Sequence, residues 1–454
     1  MSKIFHDLPH GLYEWVEQSG GGSITRLERH LARREAWVVD ITAPGGHVTE
    51  GFLRLDRNPI KGSAASLYKE AMICQALEDT DIPAPRLYAW SDDHCAALLA
   101  RDAGRSDIDK LEDTARQRAI MQDFIKIIAR LHRLNTDTLG LDKVLGAKPQ
   151  TAAELALGDL DLQLRNFKRF LDNYTDPLMT YAVQWLRQHV PLEVPQMALV
   201  QGDTGPVNFM FQQNKVSVVV DWEWGHWGDP MEDLGNICVR EFWNPCGGLD
   251  GLFKLYEQES GLPYQRFSAQ YYRIQQNVRG MVGIHAVCAK PPQQEPLAWY
   301  LCYRYVTDRA TCEGIADAMG IRIARPEMPT TTARADLLVS TAADSLRRDV
   351  LPRVDNAFAH SRAQDAARLI ECLDRRSRFS ATLNDTEREE IGELLGHRFA
   401  GVTQAQQALV TAIEARALDD EKLLQYLARK AYRDEWLYAP VVELYPDRQW
   451  SALD

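Results

Sequence analysis

The sequence predicts an α+β chain in which a small antiparallel sheet is followed by a mainly helical region and then by an all-α C-terminal region. Three observations carry this expectation. Short β-branched and aromatic runs bounded by Gly and Pro fill the first hundred residues. From about Thr114 the texture changes to long amphipathic stripes of helical period. A polar, Pro-bounded segment, Pro326-Glu327-Met328-Pro329-Thr330-Thr331-Thr332, then precedes a last helical stretch without a recognisable chemical motif.

Taken in order, the first strands are expected over Ile24–Arg29, Ala36–Ile41 and Gly51–Leu55, with the turn Pro44-Gly45-Gly46 before the third. Leu67, Ala71 and Cys74 at helical spacing place a helix within Ala64–Leu77. Pro83 and Pro85 break the chain before two further strands, Arg86–Trp90 and Ala96–Ala100. Helices are expected over Ile120–Leu134 and Leu160–Leu171. Strand character returns in two bursts between Met197 and Val220, and helices resume from Asp233 to Met319. Leu337, Leu338, Ala342, Leu346 and Val350 form a stripe in the tail, and Thr386-Glu387-Arg388-Glu389 reads as a capping box opening another helix. These breaks divide the chain into residues 1–102, 103–325 and 333–454.

Composition narrows the function classes. The chain has 454 residues, 45% of them hydrophobic, which is enough for a sizeable core. A formal net charge of −12 disfavours nucleic acid as a partner. No run approaches 18 apolar residues and Met1–Glu17 has no apolar signal core, so neither membrane insertion nor export is expected, and the cytoplasm is the default location. None of the eight cysteines forms a C-x-x-C pair, which points to thiols of a reducing compartment.

The chemistry is concentrated between residues 199 and 235. Leu199-Val200-Gln201-Gly202-Asp203 is followed by Asn208, five positions after Asp203, and then by a strand, Val216–Val220, ending in Asp221-Trp222-Glu223. A loop Asp, an Asn five residues on and a second Asp after a strand is the spacing used in phosphoryl transfer. That reaction needs a carboxylate to orient the acceptor hydroxyl and take its proton, plus hard oxygen ligands to hold Mg²⁺ among the phosphates. Upstream, Arg54 lies on the third strand and Glu70 in the following helix, sixteen residues apart. A strand cation braced by a helix acid suits phosphate binding, since a guanidinium grips phosphate in bidentate fashion. A purely structural Arg54–Glu70 pair, or Arg57 or Lys61 as the phosphate ligand, are the alternatives.

Gly-Asp-x₄-Asn, Asp-Trp-Glu and Gly228-Asp229-Pro230-Met231-Glu232-Asp233-Leu234-Gly235 together resemble the aminoglycoside phosphotransferase/choline kinase family. Ile128-Ala129-Arg130-Leu131-His132 is similar to the branch that includes the phosphotransferase domain of acyl-CoA dehydrogenase family member 10. The resemblance covers roughly residues 20–325, and the tail is similar to a helical domain of unknown function. It implies a bilobal protein-kinase-like fold and an ATP- and Mg²⁺-dependent kinase acting on a small hydroxylated molecule, with GTP as the alternative donor. It further implies Asp203 as catalytic base, Asn208 and Asp221 as Mg²⁺ ligands and Glu223 as a further metal or water ligand. Arg54 would hold the phosphates, Glu70 would brace it, and the hinge from Leu98, Leu99 and Ala100 to Asp102 would read the adenine through its backbone. The C-terminal helices would serve assembly, such as a homo-oligomer, or cover the acceptor cleft.

Two departures from the family favour a second reading, a catalytically silent nucleotide-binding module acting through its C-terminal helices. Gln201 stands where the family has His, and the loop His30–Glu35, expected over the phosphates, contains no glycine. Gln both donates and accepts hydrogen bonds, so it is expected to brace the loop as His would. His132 is expected to be a packed core histidine, His226 a structural one, and Trp222, Trp224, Trp227 and Trp243 mainly core.

Overall fold

The computed structural model describes residues 8–30, 35–57, 65–170, 176–291, 296–331, 334 and 336–453. Helix α1 (Leu12–Gly20) leads into strands β1 (Ser23–His30), β2 (Ala36–Thr42) and β3 (Val48–Leu55). Helix α2 (Leu67–Leu77), β4 (Leu87–Ser91) and β5 (Ala96–Ala100) complete the first hundred residues. The strands form one antiparallel sheet in the order β1-β2-β3-β5-β4. Alternation along each strand divides the residues between two faces. Val39, Ile41, Leu53 and Leu98 join a core closed by Leu12 and Val16 of α1. Val38, Phe52, Arg54 and Leu99 line a cavity. Gly51 lies in the core between Val39 and Leu98, where an added Cβ would come within 2.9 Å of both side chains. Helix α1 was not expected: Leu12 and Val16 are its buried positions, too short a stripe to stand out. Helix α2 starts as its sequence dictates, with Ser66 Oγ capping the amide of Lys69 at 3.1 Å.

The chain continues through α3 (Thr114–His132), α4 (Asp142–Leu145), α5 (Ala152–Phe170) and α6 (Pro177–Gln188). Strand β6 (Ala198–Val200) pairs with β9 (His226–Gly228), and β7 (Phe209–Gln212) forms a hairpin with β8 (Lys215–Val219). Helices α7 (Pro230–Trp243), α8 (Leu252–Ser260), α9 (Arg266–Ala289) and α10 (Leu297–Met319) follow, then α11 (Leu337–Ser345), α12 (Ala357–Leu395), α13 (Val402–Glu414), α14 (Asp420–Leu437) and α15 (Ala439–Val442). No helix among the described residues is long and apolar enough to cross a membrane. The eight cysteines are free thiols.

Two compact units emerge. One comprises residues 1–159, 191–269 and 451–454, and contains the five-stranded sheet and both small sheets. The other, residues 160–190 and 270–450, is helical. These units do not coincide with the segments 1–102, 103–325 and 333–454. The helical unit gathers α6 and α10 together with α11–α15, because α10 packs against α14 rather than ending a separate body. Arg309 on α10 binds Glu435 on α14 at 2.6 Å, and Tyr305 stacks on Tyr438 at 4.1 Å between ring centroids.

One expected helix start is absent. Thr386 lies inside α12, an unbroken helix of 39 residues, not at an N-terminus. Its Oγ1 donates back to the carbonyl of Thr382 at 3.0 Å, which satisfies the hydroxyl without ending the helix. Glu387, the supposed first-turn residue, is buried and accepts from Gln406 and from Tyr426 OH. The tail stripe is also only partly a core stripe: Leu337 and Leu338 are exposed.

Candidate active site

A cavity of about 610 Å³ lies within the sheet-containing unit. Its wall brings together Arg54, Glu70, Asp203, Asn208, Asp221 and Glu223, residues separated by up to 169 positions in sequence. Leu99, Ala100 and Asp102 also line it. Leu98 does not: alternation turns its side chain into the core on the other face of the sheet. Within the expected hinge, the amide of Ala100 already donates to Arg86 O (2.8 Å) and that of Arg101 to Glu50 O (3.2 Å). The phosphate-loop residues 31–34 and Lys61 lie outside the described residues. Arg57 lies outside the cavity wall and binds Glu35 through Nε at 2.5 Å and NH2 at 2.7 Å.

Strand β3 aims Arg54 into the cavity, where its guanidinium meets three acids. NH1 binds Glu70, presented by the first turn of α2, and lies 3.3 Å from Asp221 Oδ1; NH2 lies 3.4 Å from Glu223 Oε2. Burial opposes the charge on Arg54, but Glu70, Asp221 and Glu223 outweigh it and raise its pKa above the ordinary value. Glu70 is itself buried, so the pair is far from a loose surface contact.

The β6–β7 loop and the segment after β8 hold the remaining groups. Asp221 takes a left-handed conformation at φ 64°, as does Val207 at φ 73°. For a β-branched residue this is a strained backbone, of the kind that clusters where a loop is over-determined by its surroundings. Asn208 Nδ2 donates to Asp203 O at 2.6 Å and to Asp203 Oδ2 at 3.0 Å, which leaves the amide oxygen as the group available to a cation. Val220 N donates to Asn208 O, tying the loop to the strand that ends in Asp221.

Gln201 is the brace between these two segments. Its Nε2 donates to the carbonyls of Val220 (2.9 Å) and Asp221 (2.8 Å). Its Oε1 accepts from Asp203 N (2.8 Å) and Thr204 Oγ1 (3.1 Å). One amide side chain therefore links the backbones that carry Asp203 and Asp221, as its dual hydrogen-bonding capacity suggests.

Helix α7 contributes two residues to which the sequence motifs had assigned no role. Asp229 caps the helix, accepting from Met231 N at 2.9 Å, with Pro230 at its first position. One turn on, buried Asp233 accepts from the amides of Gln201 and Gly202, each at 3.0 Å, and from Thr204 Oγ1. His132 of α3 donates to Asp233 Oδ2 from 3.0 Å, and its other ring nitrogen meets Tyr256 OH at 2.8 Å. Burial pushes the Asp233 carboxyl pKa up, yet the bond and charge of His132, with Thr204 and the Gln201 amide, hold it below the usual carboxylate range. His132 is thus the packed core histidine the sequence suggested, with a specific task.

Two turns beyond Asp233, on the same face of α7, Arg240 grips Asp203: Nε lies 2.9 Å from Oδ1 and NH2 binds Oδ2. The seven-residue step from Asp233 was the available signal. His226 bonds to Trp224 O and Glu232. Trp222 and Trp227 are buried, whereas Trp224 lines the cavity.

The donor set suits a hard divalent cation. Asn208 offers an amide oxygen, while Glu70, Asp221 and Glu223 offer carboxylate oxygens lying within 4.8 Å of one another. The placement adds Glu70 to the acids that the sequence had grouped for a metal.

Residues 27–267, more than half of the chain, match the family described as phosphotransferase enzyme family. In sequence the chain is 29% identical over 198 residues to the probable acyl-CoA dehydrogenase IBR3 of Arabidopsis thaliana, covering 39% of this chain and 23% of that protein. It is 24% identical over 198 residues to acyl-CoA dehydrogenase family member 10 of Mus musculus, covering 40% and 17%. The chain thus spans less than a quarter of the length of these relatives. In structure it is similar to a candidate aminoglycoside phosphotransferase from Ralstonia eutropha, with a TM-score of 0.54, 21% identity, and coverage of 68% of this chain and 98% of that one. That likeness bears on the fold alone, and it fits the protein-kinase-like arrangement of sheet, loop and helices described above. With residues 27–267 matching the family, and Asp203, Asn208 and Asp221 assembled in one cavity, the chain belongs to the phosphotransferase enzyme family.

Proposed function

We propose that this chain is a small-molecule kinase that transfers the γ-phosphate of ATP, held with Mg²⁺, to a hydroxyl of its acceptor. The observation that carries the reading is the convergence of Asp203, Asn208, Asp221 and Arg54 on one cavity from three separate segments. Mg²⁺, held by Asn208 and Asp221 with Glu223 as a further ligand, would neutralise charge on the phosphates when bound. Arg54 grips phosphate oxygens while Glu70 keeps its guanidinium in place, and Leu99 and Ala100 form one wall of the adenine site. Asp203 orients the acceptor hydroxyl and accepts its proton as that oxygen bonds to the γ-phosphorus. The bond to the β–γ bridging oxygen breaks and ADP leaves. Positioning supplies most of the rate, since the protein forms no covalent intermediate in this scheme.

The Gln201 hydrogen bonds weigh against the silent-module reading, because Asp203 and Asp221 are braced without the family's His. The acyl-CoA dehydrogenase names of the relatives support an acyl portion on the acceptor. Thermal unfolding tests the nucleotide assignment. Mg²⁺ with ATP should raise the melting temperature, since a ligand bound only to the native state stabilises it by RT ln(1 + [L]/Kd). Arg54→Ala should reduce that shift. An absent shift at millimolar ATP and GTP would contradict the assignment.

A further inference from the structure

The charge around Asp203 speaks to the kind of acceptor the site takes. Every carboxylate lining the cavity already has a polar partner. Glu70, Asp221 and Glu223 face Arg54. Asp102 accepts from Gly104 N and Ser217 Oγ, each at 2.7 Å. Asp203 is held at both oxygens by Arg240. A cationic acceptor reaching Asp203 would therefore meet the Arg240 guanidinium seated on that carboxylate.

Arg240 is built into this place. Its side chain and that of Asp203 are each about a quarter exposed, at 24% and 26%, so the pair is reachable from the cavity it lines. The loop rides directly on its stem: Gly205 has φ +139°, and a Cβ there would lie 2.6 Å from Arg240 Cβ. The other lining guanidiniums serve elsewhere. Arg54 sits among the metal-site acids, and Arg101 is paired with Asp40 (2.8 Å) and Glu50 (2.6 Å).

We propose that Arg240 determines acceptor specificity, selecting hydroxylated molecules that carry an anionic group near the reacting hydroxyl and rejecting cationic ones. The inference rests on the phosphotransferase reading and adds the acceptor's charge to it. In the resting site Arg240 occupies the oxygens that the hydroxyl needs. An acceptor carboxylate or phosphate offers the guanidinium an equivalent bidentate partner, so Arg240 passes from Asp203 to the acceptor with little loss of charge-assisted bonding. Asp203 is thereby uncovered beside the hydroxyl. The acceptor oxygen then bonds to the γ-phosphorus of ATP, the β–γ bridging bond breaks to release ADP, and the hydroxyl proton goes to Asp203. A neutral analogue lacks the group that draws Arg240 away, and an ammonium group is repelled by it.

The test is binding to the full chain loaded with Mg²⁺ and a non-hydrolysable ATP analogue, followed by calorimetry. The probes are 3-hydroxybutyrate, its neutral amide and choline. The anion should bind at least ~10-fold more tightly than the amide, the margin expected of a charge-assisted contact, with choline weakest. Arg240→Gln should bring the ratio of anion to amide to about one while leaving analogue affinity unchanged, and Arg240→Lys should restore part of it. Equal affinities in the unaltered protein, or a preference for choline, overturn the assignment without any variant. A ratio that survives Arg240→Gln overturns it as well. Failure to bind the ATP analogue itself would strike the phosphotransferase reading beneath, and it is told apart by the missing nucleotide signal.

Discussion

At the scale of single residues, the site depends on side chains that do two things at once. Gln201 spans the backbones of Asp203 and Asp221 with one amide group, and it is fully buried. A buried donor or acceptor that loses its partner costs roughly 1–3 kcal/mol. Gln201→Leu, of similar volume, strips partners from the Asp203 amide and the Val220 and Asp221 carbonyls. Denaturant unfolding should register a loss of about 2–4 kcal/mol, and turnover should fall because Asp203 and Asp221 are no longer fixed to each other. Gln201→His keeps one donor and one acceptor and should lose much less. Wild-type stability and turnover in Gln201→Leu would remove Gln201 from this role. The gathering of Asp203, Asn208 and Asp221 in one cavity was legible because their spacing is local. Arg240 was not, because its meaning arises only when a helix face is turned toward a loop 37 residues upstream.

Among the elements, α7 positions the chemistry. Expected only from Asp233, it begins at Pro230 behind its Asp229 cap, and the structure places Asp233 and Arg240 on one face beneath the loop that carries Asp203. Asp233 is the anchor. Because its pKa is depressed in the folded state, its charge contributes stability that is present above the ordinary carboxylate pKa and is lost as pH falls through the folded value. Asp233→Asn puts an amide against the buried Gln201 and Gly202 N–H groups and His132. It should cost about 3–5 kcal/mol near neutral pH, the usual cost of breaking a buried pair, with the gap to the parent narrowing as acid neutralises Asp233. Urea unfolding at pH 7 and below pH 4 measures both. A gap that does not change with pH would mean that the negative charge contributes nothing. Helix α12 teaches the opposite lesson: Thr386-x-x-Glu389 satisfies a local rule, yet no Gly or Pro interrupts residues 357–391 and tertiary burial of Glu387 keeps the helix whole.

Over the whole molecule, β-branched and aromatic runs bounded by turn residues were enough to foresee the five strands of the sheet, of which β2, β3 and β5 turn one face to a core and the other to a cavity. The division into compact units was not foreseeable from Pro and Thr content near residues 326–332. Polar linkers signal a loop, while unit membership is set by which buried faces meet, here α10 against α14 through Arg309 and Glu435. Activity is a property of the whole site, so the decisive measurement follows phosphorus itself. Phosphorus-31 NMR of Mg²⁺ and ATP with a mixture of hydroxylated small molecules should show, on adding the protein, a new phosphomonoester signal growing one for one with ADP. With Asp203→Asn the rate should drop roughly 10²–10⁴-fold, as expected for loss of a positioned general base. Unchanged ATP with the intact protein, or equal phosphomonoester formation by Asp203→Asn, would contradict the account.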